Sequence, residues 1–231
     1  MINIQPIQKQ RQRHDGSTLS VHSIFYTLQG EGMYAGRPAV FVRLAGCNLQ
    51  CPLCDTEYTN DAKEMSISEI IDKVFIKRSL LSRPIIVISG GEPFRQNIGP
   101  LVQALDQLYI VQIETNGTLP PPLNFPKVTV VCSPKTGKVN KELLPYITAY
   151  KYVMRANQVS KLDGLPITAL DHTAVPELAR PHKSFNGQVY LQPCDQQNAA
   201  LNQRNTNAVL ESCMTYGYTL QLQIHKLIGV E

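Results

Sequence analysis

No stretch of this sequence approaches the eighteen or so uninterrupted apolar residues of a membrane span, and its start, MINIQPIQKQRQRHDG, is too polar for a signal peptide. Those two absences point to a cytoplasmic protein with no membrane partner. Six cysteines in 231 residues are too few and too unevenly placed for a disulfide framework. Nor is there a dense stripe of Lys and Arg interleaved with aromatics, so no nucleic-acid partner is expected. The net charge of +4 comes in part from Lys9, Arg11 and Arg13, in a polar N-terminal segment that need not be ordered. No internal repeat or low-complexity tract interrupts a chain that is 43% hydrophobic and long enough for one sizeable core. The division expected is an N-terminal extension over 1–20 and a single domain over 21–231.

From about residue 38 onward, short β-rich runs alternate with helical patterns, which argues for an α/β fold with a mostly parallel sheet. The expected strands are Ala39 to Leu44, Ile85 to Ser89, Ile110 to Glu114, Val128 to Cys132, Tyr150 to Met154, Val189 to Gln192 and Thr219 to Ile224. Most are apolar nearly throughout, as strands covered on both faces should be. Ser66 and Glu69 form a capping box ahead of Ile67, Ile70, Ile71 and Val74 at helical spacing. Asn97 is placed to cap a second helix, and Ala199 to Tyr216 reads as a longer one ended by Gly217.

Glu, Thr, Lys, Gln and His recur just after these strands. The carboxyl ends of the strands are the face on which barrels and open α/β sheets build active sites. Gly, Pro, Ser and Asn at the same places also simply mark turns.

Three of the cysteines crowd into Gly46-Cys47-Asn48-Leu49-Gln50-Cys51-Pro52-Leu53-Cys54-Asp55-Thr56, with spacing C-x3-C-x2-C. Soft thiolates favour iron–sulfur or zinc. A structural zinc site is closed and would want a fourth Cys or His at short spacing, yet none lies between Cys54 and Cys132. A four-iron cluster held by three thiolates leaves one iron open, and an open iron implies a ligand and chemistry.

This spacing resembles the radical S-adenosylmethionine superfamily. The resemblance implies that Cys47, Cys51 and Cys54 hold a [4Fe-4S] cluster whose open iron chelates S-adenosylmethionine. The reduced cluster then breaks the sulfonium bond to give a 5′-deoxyadenosyl radical, which does the chemistry in place of a direct catalytic side chain. Leu53 is implied near the adenine, with Asp55 beside it. Gly90-Gly91-Glu92-Pro93 is similar to the superfamily's second signature, in which a glycine-rich strand end approaches the methionine amino group. Gly117, Ser133, Lys135 and Gln192 fall where further contacts to the cofactor are implied.

The blocks around the cysteines narrow the resemblance. They are Leu28-Gln29-Gly30-Glu31, Phe41-Val42-Arg43, Glu114-Thr115-Asn116-Gly117, Ser133-Pro134-Lys135 and a terminal Gln223-Ile224-His225-Lys226. In this order they resemble the 7-carboxy-7-deazaguanine synthase family, from about Ser23 to the C-terminus. That family implies an incomplete TIM-type barrel on a radical SAM core, and a homodimer. It implies conversion of 6-carboxy-5,6,7,8-tetrahydropterin to 7-carboxy-7-deazaguanine with loss of ammonia, a step toward queuosine and related deazapurines. Electrons would come from a reductase such as flavodoxin or ferredoxin.

The substrate contacts implied are Leu28, Gln29, Gly30, Glu31, Arg43, Thr115, His225 and the terminal carboxylate of Glu231. Thr56 matches a position that coordinates Mg²⁺. Taken alone, Arg43 suits a buried structural ion pair equally well, and His225 suits a satisfied core histidine. Cys132, Cys194 and Cys213 are most simply buried thiols. Two other classes stay open at this point: a glycyl-radical activase on the same core, and a non-enzymatic zinc module.

Overall fold

A computed structural model describes residues 2–11, 15–77, 83–172 and 177–230. Arg13 of the basic cluster and Glu231 therefore lie outside the described residues. Among those described, one nine-stranded sheet runs in the order β3-β1-β2-β4-β5-β6-β7-β8-β9. Its strands are β1 (Thr18–Leu28), β2 (Pro38–Leu44), β3 (Lys63–Ser66), β4 (Ile85–Gly90), β5 (Val111–Thr115), β6 (Thr129–Cys132), β7 (Ile147–Met154), β8 (Gln188–Pro193) and β9 (Thr219–Leu220). From β2 to β9 every pairing is parallel, and β1 pairs antiparallel with both β2 and β3.

The helices are α1 (Ile67–Lys77), α2 (Gly99–Asp106), α3 (Ala199–Tyr216) and α4 (Ile224–Ile228). α1 starts as expected: Ser66 N donates to Glu69 Oε2 at 2.7 Å and Glu69 N to Ser66 Oγ at 3.2 Å. Its Ile70 and Val74 are buried against the sheet. Asn97 takes the Gly99 N–H at 3.3 Å, but the capping residue of α2 is Ile98. α3 has the expected bounds, with Asn198 accepting from Leu201 N and Gly217 left-handed at φ +77°.

Period-two alternation divides the sheet into two faces. Val40, Val42, Leu44, Ile86, Ile88, Val111, Ile113, Val130, Tyr150, Tyr152 and Leu191 point into the core shared with the helices. The residues between them, Phe41, Arg43, Ser89, Glu114, Val131, Lys151, Val153 and Gln192, line a cavity on the other face. One alternating pattern thus builds both the core and the site. No helix among the described residues is long and apolar enough to cross a membrane.

Three expectations need correction. The strand expected over Thr219 to Ile224 stops at Leu220. Beyond it Gln221 Nε2 bonds Gln192 Oε1 at 2.6 Å and Ile224 N bonds Gly30 O at 3.1 Å, so the chain turns into α4 instead of extending the sheet. The long antiparallel strand β1 was not expected as a strand at all. It begins at Thr18, so a boundary at residue 20 would cut an element whose Thr18 and Leu19 pair with Ser66 and Met65. Residues 2–11 are also bonded to the cysteine loop, and therefore are not a free extension.

Candidate active site

The cavity opens at the carboxyl ends of the parallel strands, where sequence reasoning put it. Leu28, Gln29, Gly30, Glu31, Arg43, Leu53, Cys54, Asp55, Thr56, Gly90, Gly91, Thr115, Ser133, Lys135, Gln192 and His225 all line it. Cys47 and Cys51 are buried behind Cys54. Burial pushes the Cys47 thiol up to about 12 and raises those of Cys51 and Cys54. Thiols in such a place give up their protons to a metal in preference to water. Among the described residues no three His, Cys, Asp or Glu side chains gather closely enough to share one ion. A cubane cluster does not ask that of them, because each of its thiolates takes a different iron.

Two glycines let the cysteine loop and β4 meet. A Cβ on Gly91 would run into Gly46 O and stand 2.8 Å from Cys47 N. A Cβ on Gly90, at φ +130°, would collide with Leu44 O. Gly91 N bonds Leu44 O at 3.2 Å and Glu92 N bonds Gly46 O at 3.0 Å.

Glu92 and Gly117 do not line the cavity. Fully buried, Glu92 accepts from Phe94 N at 3.1 Å, from Thr115 Oγ1 at 2.7 Å and from Asn116 N at 2.7 Å. Its carboxyl holds the ends of β4 and β5 together from behind, and burial pushes its pKa up to about 7 despite those donors. Gly117, at φ +81°, faces Cys132: a Cβ there would lie 2.6 Å from that sulfur. Thr115 reaches the cavity, but its hydroxyl is committed to Glu92.

Several charged side chains line the cavity. At the cysteine end, Lys135 donates to Ser133 O at 2.9 Å and to Ser133 Oγ at 2.5 Å. It makes no ion pair among the described residues, and burial lowers its pKa. Such an ammonium suits an anionic ligand. On β2, Arg43 stacks its guanidinium 5.0 Å over the Phe25 ring, with Nε buried and without a partner. Phe25 itself stacks on Phe41 with centroids 5.3 Å apart. Arg43 is thus not in a structural ion pair among the described residues, which favours a ligand role for it over the bland reading.

Opposite Arg43 stands a network that sequence reasoning missed. Lys151 on β7 is paired with Glu31 and lies 3.8 Å from Glu114. Glu114 also accepts from Gln29 and Gln112, each at 3.0 Å. Burial raises the Glu31 pKa, but Lys151 and the Gln223 amide outweigh it and hold the carboxyl below its ordinary value. A signal for Lys151 was present: a lysine alternating with tyrosines and valine in a strand that is apolar elsewhere.

The C-terminal turn closes the rim. The His225 ring lies over Gly30, where a Cβ would strike it. Lys226 bridges Asp55 at 3.3 Å and Asp195 at 3.2 Å. Burial raises the Asp55 pKa, but Lys226 and Lys151 more than reverse it. Thr56 Oγ1 donates to Asp55 Oδ1 at 3.4 Å, and both residues line the cavity.

Comparison with known proteins agrees with this geometry. Residues 28–117, which span the three cysteines and the double glycine, match the family described as "4Fe-4S single cluster domain". The chain is 39% identical over 224 residues to the 7-carboxy-7-deazaguanine synthase of Rhodospirillum rubrum, covering 94% of each chain. It is 40% identical over 228 residues to that of Rickettsia prowazekii, covering 94% of this chain and 91% of the other. The chain belongs to the 7-carboxy-7-deazaguanine synthase family.

The crystal structure of QueE from Escherichia coli aligns with a TM-score of 0.69 at 24% identity, over 90% of this chain and 95% of that one. That likeness speaks to the fold, an incomplete TIM-type barrel with a mostly parallel sheet. Within the synthase family frame, the residues present fit an iron–sulfur cluster. Three thiols, two of them buried, share one loop, two glycines let a strand end pack against it, and the Lys135 ammonium, without an ion pair among the described residues, stands near.

Proposed function

We propose that this chain converts 6-carboxy-5,6,7,8-tetrahydropterin into 7-carboxy-7-deazaguanine, releasing ammonia, in the cavity at the strand ends. The observation that carries the reading is a convergence. The cysteine loop, the Gly90-Gly91 strand end, the Gln29-Gly30-Glu31 turn, Arg43 and His225 all border one cavity, although they are spread from residue 29 to residue 225. Cys47, Cys51 and Cys54 would hold a [4Fe-4S] cluster, which with S-adenosylmethionine would supply radical chemistry in this cavity.

The chain's own residues bind and orient. Gly90 and Gly91 border the cavity with backbone that can meet the amino-acid end of S-adenosylmethionine, and Lys135, beside Ser133, can meet its carboxylate. Leu53, Asp55 and Gln192 border the same end, while Glu92 and Gly117 act from behind by shaping the strand ends. Arg43 offers the substrate carboxylate a planar fork.

An ionised Glu31, held so by Lys151, accepts from N–H groups on the pterin edge. The Leu28-Gln29-Gly30 backbone, Thr115 and His225 complete that side. Phe25 and Phe41 give the flat ring an apolar wall. Thr56 and Asp55 would share a Mg²⁺ with substrate oxygens and water, since a small hard cation prefers oxygen ligands. Electrons come from a flavodoxin-like or ferredoxin-like protein, and the enzyme works in the cytoplasm as a homodimer.

Anaerobic incubation of reconstituted protein with S-adenosylmethionine, reductant, Mg²⁺ and the carboxypterin should yield the deazaguanine by mass. Formation of 5′-deoxyadenosine without that product would keep the radical chemistry and reject the substrate. Iron and sulfide analysis of the same sample would expose a zinc module.

A further inference from the structure

The N-terminal segment, dispensable by composition, is bonded to the one loop that bears all three proposed cluster ligands. Between Gly46 and Tyr58 that loop has neither helix nor strand, and it closes on itself through Gly46 N to Tyr58 O at 2.9 Å and Cys54 N to Cys51 O at 3.1 Å. Loop carbonyls need partners, and residues 2–11 bring donors to four of them. Gln8 N donates to Cys47 O at 2.7 Å, and Asn3 N to Pro52 O at 2.9 Å. The Asn3 side-chain amide donates to Cys51 O at 3.1 Å, and that of Gln5 to Thr56 O at 2.9 Å. In return Gln5 Oε1 accepts from Tyr58 N at 2.8 Å, and Gln5 O accepts from Gln50 Nε2 at 2.7 Å. Ile7 forms a parallel bridge with Cys47 itself.

The segment's far end is fastened as well. Arg95 donates to Lys9 O at 3.1 Å and to Ala45 O at 2.9 Å, while Arg11 N donates to Arg95 O at 2.8 Å. A segment packed for global stability would bury its apolar side chains. Here Ile2, Ile4 and Ile7 stay 72%, 86% and 62% exposed. From Asn3 to Gln8 the contact is made largely of hydrogen bonds to the cysteine loop. Asn3, Gln5 and Gln8 are neutral, so they supply donors beside the thiols without adding charge.

We propose that residues 2–11 form a strap that holds Cys47, Cys51 and Cys54 in the arrangement a cluster requires and slows its loss. The strap is a positioning segment and touches no substrate. The inference rests on reading those three cysteines as cluster ligands.

The test compares the unaltered chain with two variants, deletion of residues 2–8 and Asn3→Ala/Gln5→Ala. Amide hydrogen exchange of the cluster-free protein is followed in the 46–58 loop and in β4 to β7. Each form is then reconstituted anaerobically and exposed to air without S-adenosylmethionine, and iron and the cluster's visible absorbance are followed. Loop exchange should rise about tenfold or more in both variants, the size of one or two lost neutral hydrogen bonds, with the strands unchanged. Cluster decay should quicken by a similar factor. Equal loosening of loop and strands would make the segment a general stabiliser and overturn the proposal. So would faster loop exchange with unchanged cluster decay, or no change in either. Failure of the unaltered chain to take up iron would instead reject the ligand assignment, so the two failures are distinguishable.

Discussion

Replacing Lys151 by Met removes the ammonium from between Glu31 and Glu114 while keeping most of the side chain's volume. The Lys151 and Glu31 side chains are each only 12% exposed, so solvent does little to screen the loss. Breaking a buried pair of this kind by removing one partner costs about 3–5 kcal/mol. The cost should depend on pH, and its sign follows from the two pKa shifts. Glu31 lies below its ordinary 4.5, so it contributes stability above that pH and loses it as pH falls. Lys151 lies above its ordinary 10.5, so its contribution is complete below that value and is lost as pH rises. Between pH 5 and 8 the intact pair therefore adds no slope.

In the variant, Glu31 keeps the Gln223 amide at 2.9 Å but loses its cation. Burial, the largest influence on it, then drives its pKa above the ordinary value. The variant loses stability as pH rises, by about 1.4 kcal/mol for each pH unit over which only the folded chain holds the proton. Glu92, raised to about 7, titrates in the same window but equally in both proteins, so it cancels in the difference. Urea unfolding of cluster-free protein at pH 5 and pH 8 measures this. The deficit at pH 8 should exceed that at pH 5 by about 1.4 kcal/mol or more. Adding Glu31→Gln should recover most of it. A deficit equal at both pH values, unmoved by that second change, would refute the reasoning and leave packing as the cause.

Gly91→Ala should destabilise the cluster-free chain by about 2 kcal/mol or more, read from its urea midpoint, because the new methyl would meet the Gly46-Cys47 backbone, with Gly46 O nearest. Arg43→Lys should raise KM for the carboxypterin about tenfold or more with a smaller change in kcat, since a point charge replaces a fork; an unchanged KM would remove Arg43 from the substrate. Thr56→Ala should weaken the Mg²⁺ dependence of turnover, and a titration identical to the unaltered enzyme would take the ion away from Thr56.

The parallel strands were legible because burial on both faces makes them apolar nearly throughout. β1 escaped because an antiparallel strand covered on one side mixes Ser, His and Thr with its apolar residues, and its register shifts between Val21 and Ser23. The reverse error came at Thr219 to Ile224. Leu220, Leu222 and Ile224 alternate like a strand, but the glutamines between them bond Gln192, Gly32 and Glu31 and pull the chain out of the sheet. Motif blocks located most of the cavity wall, because ligand-facing residues cluster in short runs at strand ends. Lys151 belongs to no such run. It is fixed by carboxylates 120 and 37 residues away, and that distance is invisible until the strands are placed side by side. Residues 2–11 misled for the opposite reason, since polarity signals disorder only where no backbone needs partners.

The GGEP block shows why a motif match and a site are different things. Its two glycines border the cavity, yet its glutamate is fully buried and turned away. That carboxyl binds donors from two separate strand ends, Phe94 after β4 and Thr115 and Asn116 at the end of β5. It thereby fixes how far apart those ends stand. Asn116 in turn donates to Asn48 at 3.0 Å, inside the cysteine loop. A residue that does not line the cavity thus links the glycine edge, the Thr115 edge and the cysteine loop. Four adjacent letters can carry two kinds of work, a cavity edge from Gly90 and Gly91 and alignment from the buried carboxyl of Glu92.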